Sequence, residues 1–247
     1  MMKLTSINIQ VEQFSRELDL SQISKQEISD RSFSQEDIVE FNLGLCPPTS
    51  SYSFDLLNGR IIVPIFDVYG NHIAFAGRRF EHYSNNVKEF YVKKYGKLAG
   101  IERFFKWKCS KWINTPYKKS EHLFNLNKAK KSIFERDFCF LVEGYYDVIH
   151  LHKLGHTNVV ALCGVSLSDR QCELLFRYTK NLVLMLDGDQ AGQIASYNSM
   201  LKARNNNLFT HVVQLPNETD PDELSNEALE FIVEQIRNSK EELLIAL

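Results

Sequence analysis

The sequence lacks the features that mark several classes of protein. Its uncharged apolar stretches, such as 61–66 and 182–186, are far shorter than the roughly 18–20 residues of a membrane span. Its first residues contain no apolar secretory core, so we expect a cytoplasmic chain with no membrane partner. The five cysteines are odd in number and form no C-x-x-C pair, which argues against a disulfide framework and a structural zinc site. We expect all five to be small core residues.

The composition is that of a folded protein whose charge is unevenly distributed. Its 247 residues are 44% apolar and 24% charged, as in globular chains of one large domain or two modest ones. The net charge of −2 conceals a segment, 77–136, with 16 Lys and Arg against 5 Asp and Glu. The segment also contains 12 aromatic residues. Basic groups can follow a phosphate backbone while aromatic rings stack on unpaired bases, so the segment predicts nucleic-acid binding. A core with a solvated lysine face is the alternative.

The first part of the chain, residues 1–132, predicts a mixed α+β basic subdomain. The sequence Ser-Gln-Glu-Asp at 34–37 is typical of a helix start before an apolar run. Two stretches with a strand pattern, 60–66 and 72–76, are separated by turn residues at 67–71, which predicts a hairpin of two strands.

The second part, residues 133–222, alternates between strand and helix patterns. Strands separated by helices of 10–15 residues predict a parallel sheet with flanking helices, so the fold class is α/β. Residues 223–247 predict a short C-terminal extension of one or two amphipathic helices. The predicted strands are 138–142, 157–162, 182–186 and 210–215.

Acidic residues follow three of these strands. Ligands of an open parallel sheet bind beyond the carboxyl ends of its strands, so we expect the acidic residues to meet at one edge. Such carboxylates repel each other unless cations neutralise them, and hard oxygen ligands favour Mg²⁺ or Mn²⁺. An Asp-x-Asp sequence alone is usually a solvated turn, whereas the whole set is much more specific. The six predicted metal ligands are Glu143, Asp147, Asp187, Asp189, Asp220 and Asp222.

Two of these acidic motifs carry a resemblance to a known family. Val-Glu-Gly-Tyr-Tyr-Asp-Val at 142–148 and Leu-Asp-Gly-Asp-Gln-Ala-Gly at 186–192 resemble the toprim signature of bacterial and phage DnaG-type DNA primases. The resemblance extends over about 36–223, most of the chain. It includes the segments 41–47, 60–65, 75–78, 111–116 and 161–167.

The resemblance implies a DNA primase catalytic core, a nucleotidyltransferase that synthesises RNA primers on single-stranded DNA from ribonucleoside triphosphates during replication. Its two-metal mechanism implies Glu143, Asp187 and Asp189 as catalytic residues among the six metal ligands. The residues that match the family's nucleotide- and template-binding motifs are Arg78, Lys111, Asn114 and one of Lys118 and Lys119.

Three departures from the family are expected to matter. The zinc-binding module and the helicase-contacting domain have no counterpart in the sequence, and residues 79–110 form an insert between two motifs. We therefore expect a compact core of the kind a phage or mobile element encodes, working in the bacterial or host cytosol. A replicative helicase and a separate zinc-binding protein are the implied partners.

Two other functions stay open on the sequence alone. A toprim nuclease that cleaves RNA or DNA would use the same acidic edge. A non-catalytic DNA-binding replication scaffold would keep the fold without the reaction.

Overall fold

A computed structural model of the protein describes residues 34–46, 48, 55–239 and 244–247. They divide into two compact units. Unit 1 contains the described residues up to Ile65 and His72–Tyr117, and unit 2 contains Phe66–Asn71 and the described residues from Lys118 onward. The predicted opening of the first subdomain, residues 1–33, lies outside the described residues. The division of the chain at 132 and 222 stays a prediction.

Unit 1 is built on a four-stranded sheet. The strand order is β1-β2-β3-β4, with antiparallel pairing between β1 and β2 and between β3 and β4. The predicted helix start at Ser34 is confirmed, because its hydroxyl accepts a hydrogen bond from the amide of Asp37. The elements are α1 (Gln35–Phe41), β1 (Gly44–Cys46), β2 (Arg60–Phe66), β3 (His72–Arg79), α2 (Ser84–Tyr95), α3 (Lys97–Cys109) and β4 (Trp112–Asn114).

Helices α2 and α3 form a hairpin within the insert. Its interior contains the buried side chains of Val87, Tyr91, Phe104 and Trp107. The helices cross closely at Gly100, where a Cβ atom would lie only 2.5 Å from the Cα atom of Val92, so no larger residue fits without movement. The insert is therefore a packed element.

Arg60 is a buried cation at the start of β2, with only 1% of its surface exposed. Its guanidinium donates to the carbonyl oxygens of Leu56 at 2.9 Å, Ser110 at 3.0 Å and Trp107 at 3.2 Å. Burial lowers the pKa of Arg60 to about 10, which leaves it charged at neutral pH. Arg60 thus joins the end of the hairpin to the sheet of unit 1.

Unit 2 is a five-stranded parallel sheet with the order β6-β5-β7-β8-β9. The four strands and three intervening helices predicted for 138–215 are all confirmed, with shifts of a few residues at their ends. The elements are α4 (Leu126–Arg136), β5 (Cys139–Val142), α5 (Tyr145–Lys153), β6 (Val159–Ala161), α6 (Asp169–Phe176), β7 (Asn181–Leu184), α7 (Gln190–Asn205), β8 (Phe209–Gln214), α8 (Asn226–Asn238) and β9 (Leu244–Ala246).

The C-terminal region differs from the sequence prediction. Helix α8 forms as expected, but Leu244–Ala246 is a strand that pairs with β8. Three apolar residues in a row carry no helix or strand periodicity, so pairing along the chain's own sheet decides their conformation. In the part of the chain that the structure describes, no helix has the length and apolar character needed to cross a membrane.

The cysteines and aromatic residues also differ in part from expectation. All five cysteines are free, but only Cys46, Cys139 and Cys172 are buried, while Cys163 is half-buried and Cys109 is exposed. Most aromatic residues of 77–136 are at least partly buried, which favours the core alternative for them. The large exposed aromatic side chains of this segment are Phe105 and Phe134.

Replacing Arg60 by Met is predicted to lower the free energy of unfolding by about 2–4 kcal/mol, because buried carbonyl groups lose their donor. Urea denaturation followed by tryptophan fluorescence measures the change. Lys94→Met is the control, since it removes surface interactions, an ion pair with Asp55 at 2.6 Å and contacts over the Phe90 and Tyr95 rings, and should change the free energy by less than about 1 kcal/mol. Equal losses in the two variants would contradict a structural role for Arg60.

Candidate active site

The strand order of unit 2 places its candidate site at a reversal in the sheet. From β5 the chain passes to β6 on one side and then returns to β7 on the other side. The carboxyl ends of β5 and β7 therefore lie side by side while their connections diverge. Such a switch point is where open parallel sheets bind their ligands. Glu143 follows β5, and Asp187 follows β7 by three residues.

Two hydrogen bonds fix the acidic residues that follow β5. Asp147, on the first turn of α5, accepts a hydrogen bond from the amide of Gly144 at 2.7 Å, which turns its carboxylate back toward the end of the strand. Glu143 Oε1 accepts from the amide of Asp187 at 3.3 Å and so spans from β5 to the loop after β7. Glu143 is half-buried and Asp147 is buried.

The loop after β7 is shaped by a close approach to the segment that follows β8. Gly188 donates its amide to the carbonyl of Thr219 at 2.9 Å. A Cβ atom at Gly188 would lie 2.1 Å from the carbonyl oxygen of Pro216, so glycine is required there. Asp189 caps α7 by accepting from the amide of Gly192 at 2.7 Å. The hydrogen bond from Gly188 to Thr219 brings the Asp187–Asp189 loop beside Asp220.

The two remaining carboxylates lie on a short turn that contacts α5. Asp220 and Asp222 flank Pro221 and are both half-buried. One ring nitrogen of His150 on α5 lies 2.8 Å from the carbonyl oxygen of Leu224, which holds this turn against the helix. All six predicted carboxylates thus lie on segments that meet at one edge of the sheet.

The pKa values show that these carboxylates act on one another. Burial, together with the charges of Glu143, Asp147, Asp220 and Asp189, raises the pKa of Asp187 to about 8. Burial, opposed by the hydrogen bond from Gly144 and aided by the charges of Asp222, Asp220 and Glu143, raises the pKa of Asp147 to about 7. The pKa of Glu143 is also raised, mainly by burial. The edge is therefore strained by like charge.

The six carboxylates are of the chemical type that binds a cation, but they are not grouped around a single point. All six donors are hard oxygen ligands, and Oδ1 of Asp187 is buried without a hydrogen-bond partner. Within the described ranges, however, no three His, Cys, Asp or Glu side chains are grouped so as to hold a metal ion. The six-residue metal set therefore stays a prediction.

The predicted basic residues fall in both units. In unit 1, Arg78 pairs in register with Trp112, and Asn114 pairs with Ala76 on the same two strands. Directly opposed residues share a face of the sheet, so Arg78 and Asn114 lie on one face. The guanidinium of Arg78 lies 5.6 Å from the centre of the Trp112 ring. Lys111, exposed, immediately precedes β4.

Lys118 and Lys119 belong to unit 2 and differ in their surroundings. Lys118 is exposed and pairs with Glu121 at 2.9 Å. Burial raises the pKa of the Cys163 thiol to about 12, and the nearby charge of Lys119 opposes that rise. Cys163 donates its amide to the carbonyl of Glu143 at 2.9 Å. Lys119 is exposed as well, and its charge acts on Cys163, whose backbone contacts Glu143.

Comparisons with known proteins match this geometry. Residues 140–225 match the family described as Toprim-like. The chain is 32% identical over 235 residues to the DNA primase of Aquifex aeolicus (strain VF5), an alignment that covers 92% of this chain and 42% of that primase.

Solved structures agree in fold. The A. aeolicus primase, with its zinc-binding and RNA polymerase domains, superposes with a TM-score of 0.72 at 27% identity, covering 91% of this chain and 58% of that one. The DnaG primase catalytic domain bound to single-stranded DNA gives a TM-score of 0.72 at 25% identity, covering 94% and 77%. Over most of its length the chain is similar to the catalytic core of DnaG-type primases.

The predicted toprim resemblance and the predicted fold class are thus confirmed. The chain spans less than half the length of the curated A. aeolicus primase that it matches. Sequence reasoning missed two features of the structure. It assigned no role to Arg60, although a lone arginine before an apolar strand was a usable signal, and it could not foresee the carbonyl of Thr219 as a support for Gly188.

Replacing Asp187 by Asn is predicted to raise the melting temperature of the metal-free protein at neutral pH. The folded state raises the pKa of Asp187 above its unfolded value, so ionisation of this group disfavours folding as the pH rises toward about 8. Each kcal/mol recovered should add about 2–4 °C. Thermal unfolding in a chelator measures the effect.

Asp169→Asn serves as the control, because its carboxylate is exposed and pairs with Lys202 at 3.0 Å, away from the acidic edge. That variant should not gain stability. Added Mg²⁺ should stabilise the wild type and the control but stabilise Asp187→Asn much less. A lower melting temperature for Asp187→Asn in chelator would contradict the repulsion described here.

Proposed function

We propose that the chain synthesises short RNA primers on single-stranded DNA during replication, as a DNA-directed RNA polymerase of the primase type. The observation that carries this proposal is the mutually repelling set of carboxylates at the switch point of the sheet, in a chain that aligns with a DNA primase over 92% of its length. Partly buried carboxylates that repel one another at a ligand-binding edge favour a cationic ligand there.

Glu143, Asp187 and Asp189 are the catalytic ligands in this proposal, with Asp147, Asp220 and Asp222 completing the set for Mg²⁺ or Mn²⁺. When bound, the two divalent ions would activate the attacking hydroxyl and neutralise the triphosphate charge. The chain's own contribution is to hold the ligands in place, through the bonds of Asp147 to Gly144 and of Glu143 to Asp187.

Arg78, Lys111 and Asn114 are proposed to bind nucleotide or template. Support comes from their positions: Arg78 on β3 and Asn114 on β4 share a face of the sheet, and Lys111 immediately precedes β4. Positively charged and amide groups on one face can share the charge of a triphosphate or a DNA backbone. Of the two lysines left open by the sequence, Lys119 is the better candidate.

The proposed substrates are ribonucleoside triphosphates and a single-stranded DNA template. The relevant relatives are DNA primases, and one similar catalytic domain was solved with single-stranded DNA. A replicative helicase and a separate zinc-binding protein remain the proposed partners, and the cytoplasm the proposed compartment.

Primer synthesis is the direct test of this function. With labelled ribonucleotides, Mg²⁺ or Mn²⁺ and mixed-sequence single-stranded DNA, the wild type is expected to give short RNA products. The double variant Asp187→Asn/Asp189→Asn should reduce their yield at least about a hundredfold, because the metal ligands lose their charge. Asp169→Asn, an exposed carboxylate in the same unit, is the control and should retain activity.

The same reaction distinguishes the nuclease alternative. Degradation of the template without RNA products, abolished in the double variant, would contradict primer synthesis and support a toprim nuclease. RNA products that persist in the double variant would show that the acidic edge is not the catalytic site.

A second prediction separates the two lysines. Lys119→Ala is expected to reduce primer synthesis at least about tenfold, as the loss of one charge-assisted hydrogen bond to a substrate does. Lys118→Ala should change the rate by less than about threefold, because its ammonium already pairs with Glu121 on the surface. Initial rates at several nucleotide concentrations measure both effects. The reverse order would assign the role to Lys118.

A further inference from the structure

The insert between the two basic motifs folds as a helical hairpin fastened to unit 1. The indole of Trp107 donates to the carbonyl of Asn58 at 2.8 Å, and the hydroxyl of Tyr91 donates to the carbonyl of Asp55 at 2.8 Å. Arg60 binds the carbonyls at the end of α3. The inner aromatic side chains of the hairpin therefore pack within unit 1. What the hairpin offers to a ligand is its outer surface.

Several charges on that outer surface are already neutralised. The ammonium of Lys94 lies 2.6 Å from Asp55, and that of Lys106 lies 2.8 Å from Glu102. Arg79 pairs with Glu81. By contrast, Lys97 and Lys108 are exposed, and neither forms an ion pair with any carboxylate that the structure describes. Lys97 and Lys108 therefore keep an uncompensated charge, as do the exposed Lys88 and Lys93 on α2.

Lys97 and Lys108 share one stripe of α3 with an exposed ring. Positions 97, 101, 105 and 108 follow the spacing of residues that lie on one face of a helix. Phe105 lies between the lysines and is 58% exposed, whereas its neighbours Phe104 and Trp107 face the interior. The stripe from Lys97 to Lys108 extends about 16 Å along the helix axis.

The electrostatics at the start of α3 add to this stripe. Lys97 is the first residue of the helix, and the first turn contains no acidic residue. A cation at this end is disfavoured by the helix dipole, whereas an anion bound there would be favoured. Lys97 and the positive end of the helix dipole repel each other, and a phosphate group bound at this end would interact favourably with both.

We propose that the stripe of Lys97, Phe105 and Lys108 on α3 is a binding surface for single-stranded DNA, separate from the motif residues on β3 and β4. The two lysines contact phosphates, and the Phe105 ring stacks on an unpaired base between them. The inference rests on the proposed function only for the identity of the polymer as template. Lysine charge with a single exposed ring favours a polyanion with free bases over an apolar protein surface.

Binding of a labelled oligothymidine by the full chain tests the proposal without catalysis. Fluorescence anisotropy in chelator, over a range of salt concentrations, gives the affinity and its salt dependence. Lys97→Gln/Lys108→Gln should reduce the slope of log affinity against log salt by about 1.4, since each phosphate contact contributes about 0.7 on a single strand. Phe105→Ala should weaken binding about fivefold or more without changing the slope.

The matched control is Lys131→Gln/Phe134→Ala. It removes an exposed lysine and an exposed phenylalanine three residues apart on α4, the same separation as Phe105 and Lys108. This control should bind as the wild type does. A blunt-ended duplex, which offers no unpaired base, should be bound equally by the wild type and Phe105→Ala.

Unchanged oligothymidine binding in either hairpin variant, or an equal loss in the control, would overturn the proposal. This failure differs from failure of the proposed function. A wild type that binds as predicted but makes no primer would leave the hairpin surface standing, whereas primer synthesis with hairpin variants that bind normally would leave only the catalytic proposal.

Discussion

Like-charge repulsion at the carboxyl edge of the parallel sheet is the constraint on which unit 2 depends. Because β5 and β7 are neighbours in the sheet but are not consecutive in the chain, the loops after them must open a crevice. The sequence fills that crevice with carboxylates, and burial together with their charges raises the pKa of Asp187 to about 8. A hydrophobic sheet alone would be more stable with neutral residues there. In the absence of a cation, the surrounding helices and the core, which among the described residues includes a cluster of 18 buried side chains, have to offset this repulsion.

Unit 1 contains a buried charge of the opposite sign. Its buried charge is a cation, Arg60, which is surrounded by carbonyl groups at the end of α3 rather than by carboxylates. A helix C-terminus leaves carbonyl oxygens without partners and carries partial negative charge, so a guanidinium with several donors satisfies both. The cation in unit 1 is thereby fully partnered, whereas Oδ1 of Asp187 in unit 2 is not. The contacts of Arg60 make it structural, whereas the unpartnered oxygen of Asp187 makes the acidic edge a candidate ligand site.

Much of the fold and of the candidate site could be predicted from the sequence. The strand at 60–66 and the alternating elements of 138–215 have strong periodicity and clear turn residues, and they form as expected. Periodicity could not assign Leu244–Ala246, which became a strand through pairing with β8. Composition could not separate packed rings from exposed ones, so Tyr91, Phe104 and Trp107 counted equally with Phe105. The choice between Lys118 and Lys119 depends on which ammonium acts electrostatically on Cys163, a residue more than forty positions away, and spacing does not encode that relation.

The position of the insert explains how it can add a surface without disturbing the motifs on either side. Arg78 and Trp112 pair across β3 and β4 although the whole hairpin lies between them in sequence, and the amide of Arg79 donates to the carbonyl of Lys111 at 2.9 Å. The entropy needed to close a loop grows only slowly with its length, so lengthening a connection between paired strands has a small effect on stability. Arg60 then fixes the end of α3 against the same strands. Substitutions on the outer face of the hairpin therefore leave the register of the paired strands and their motif residues unchanged.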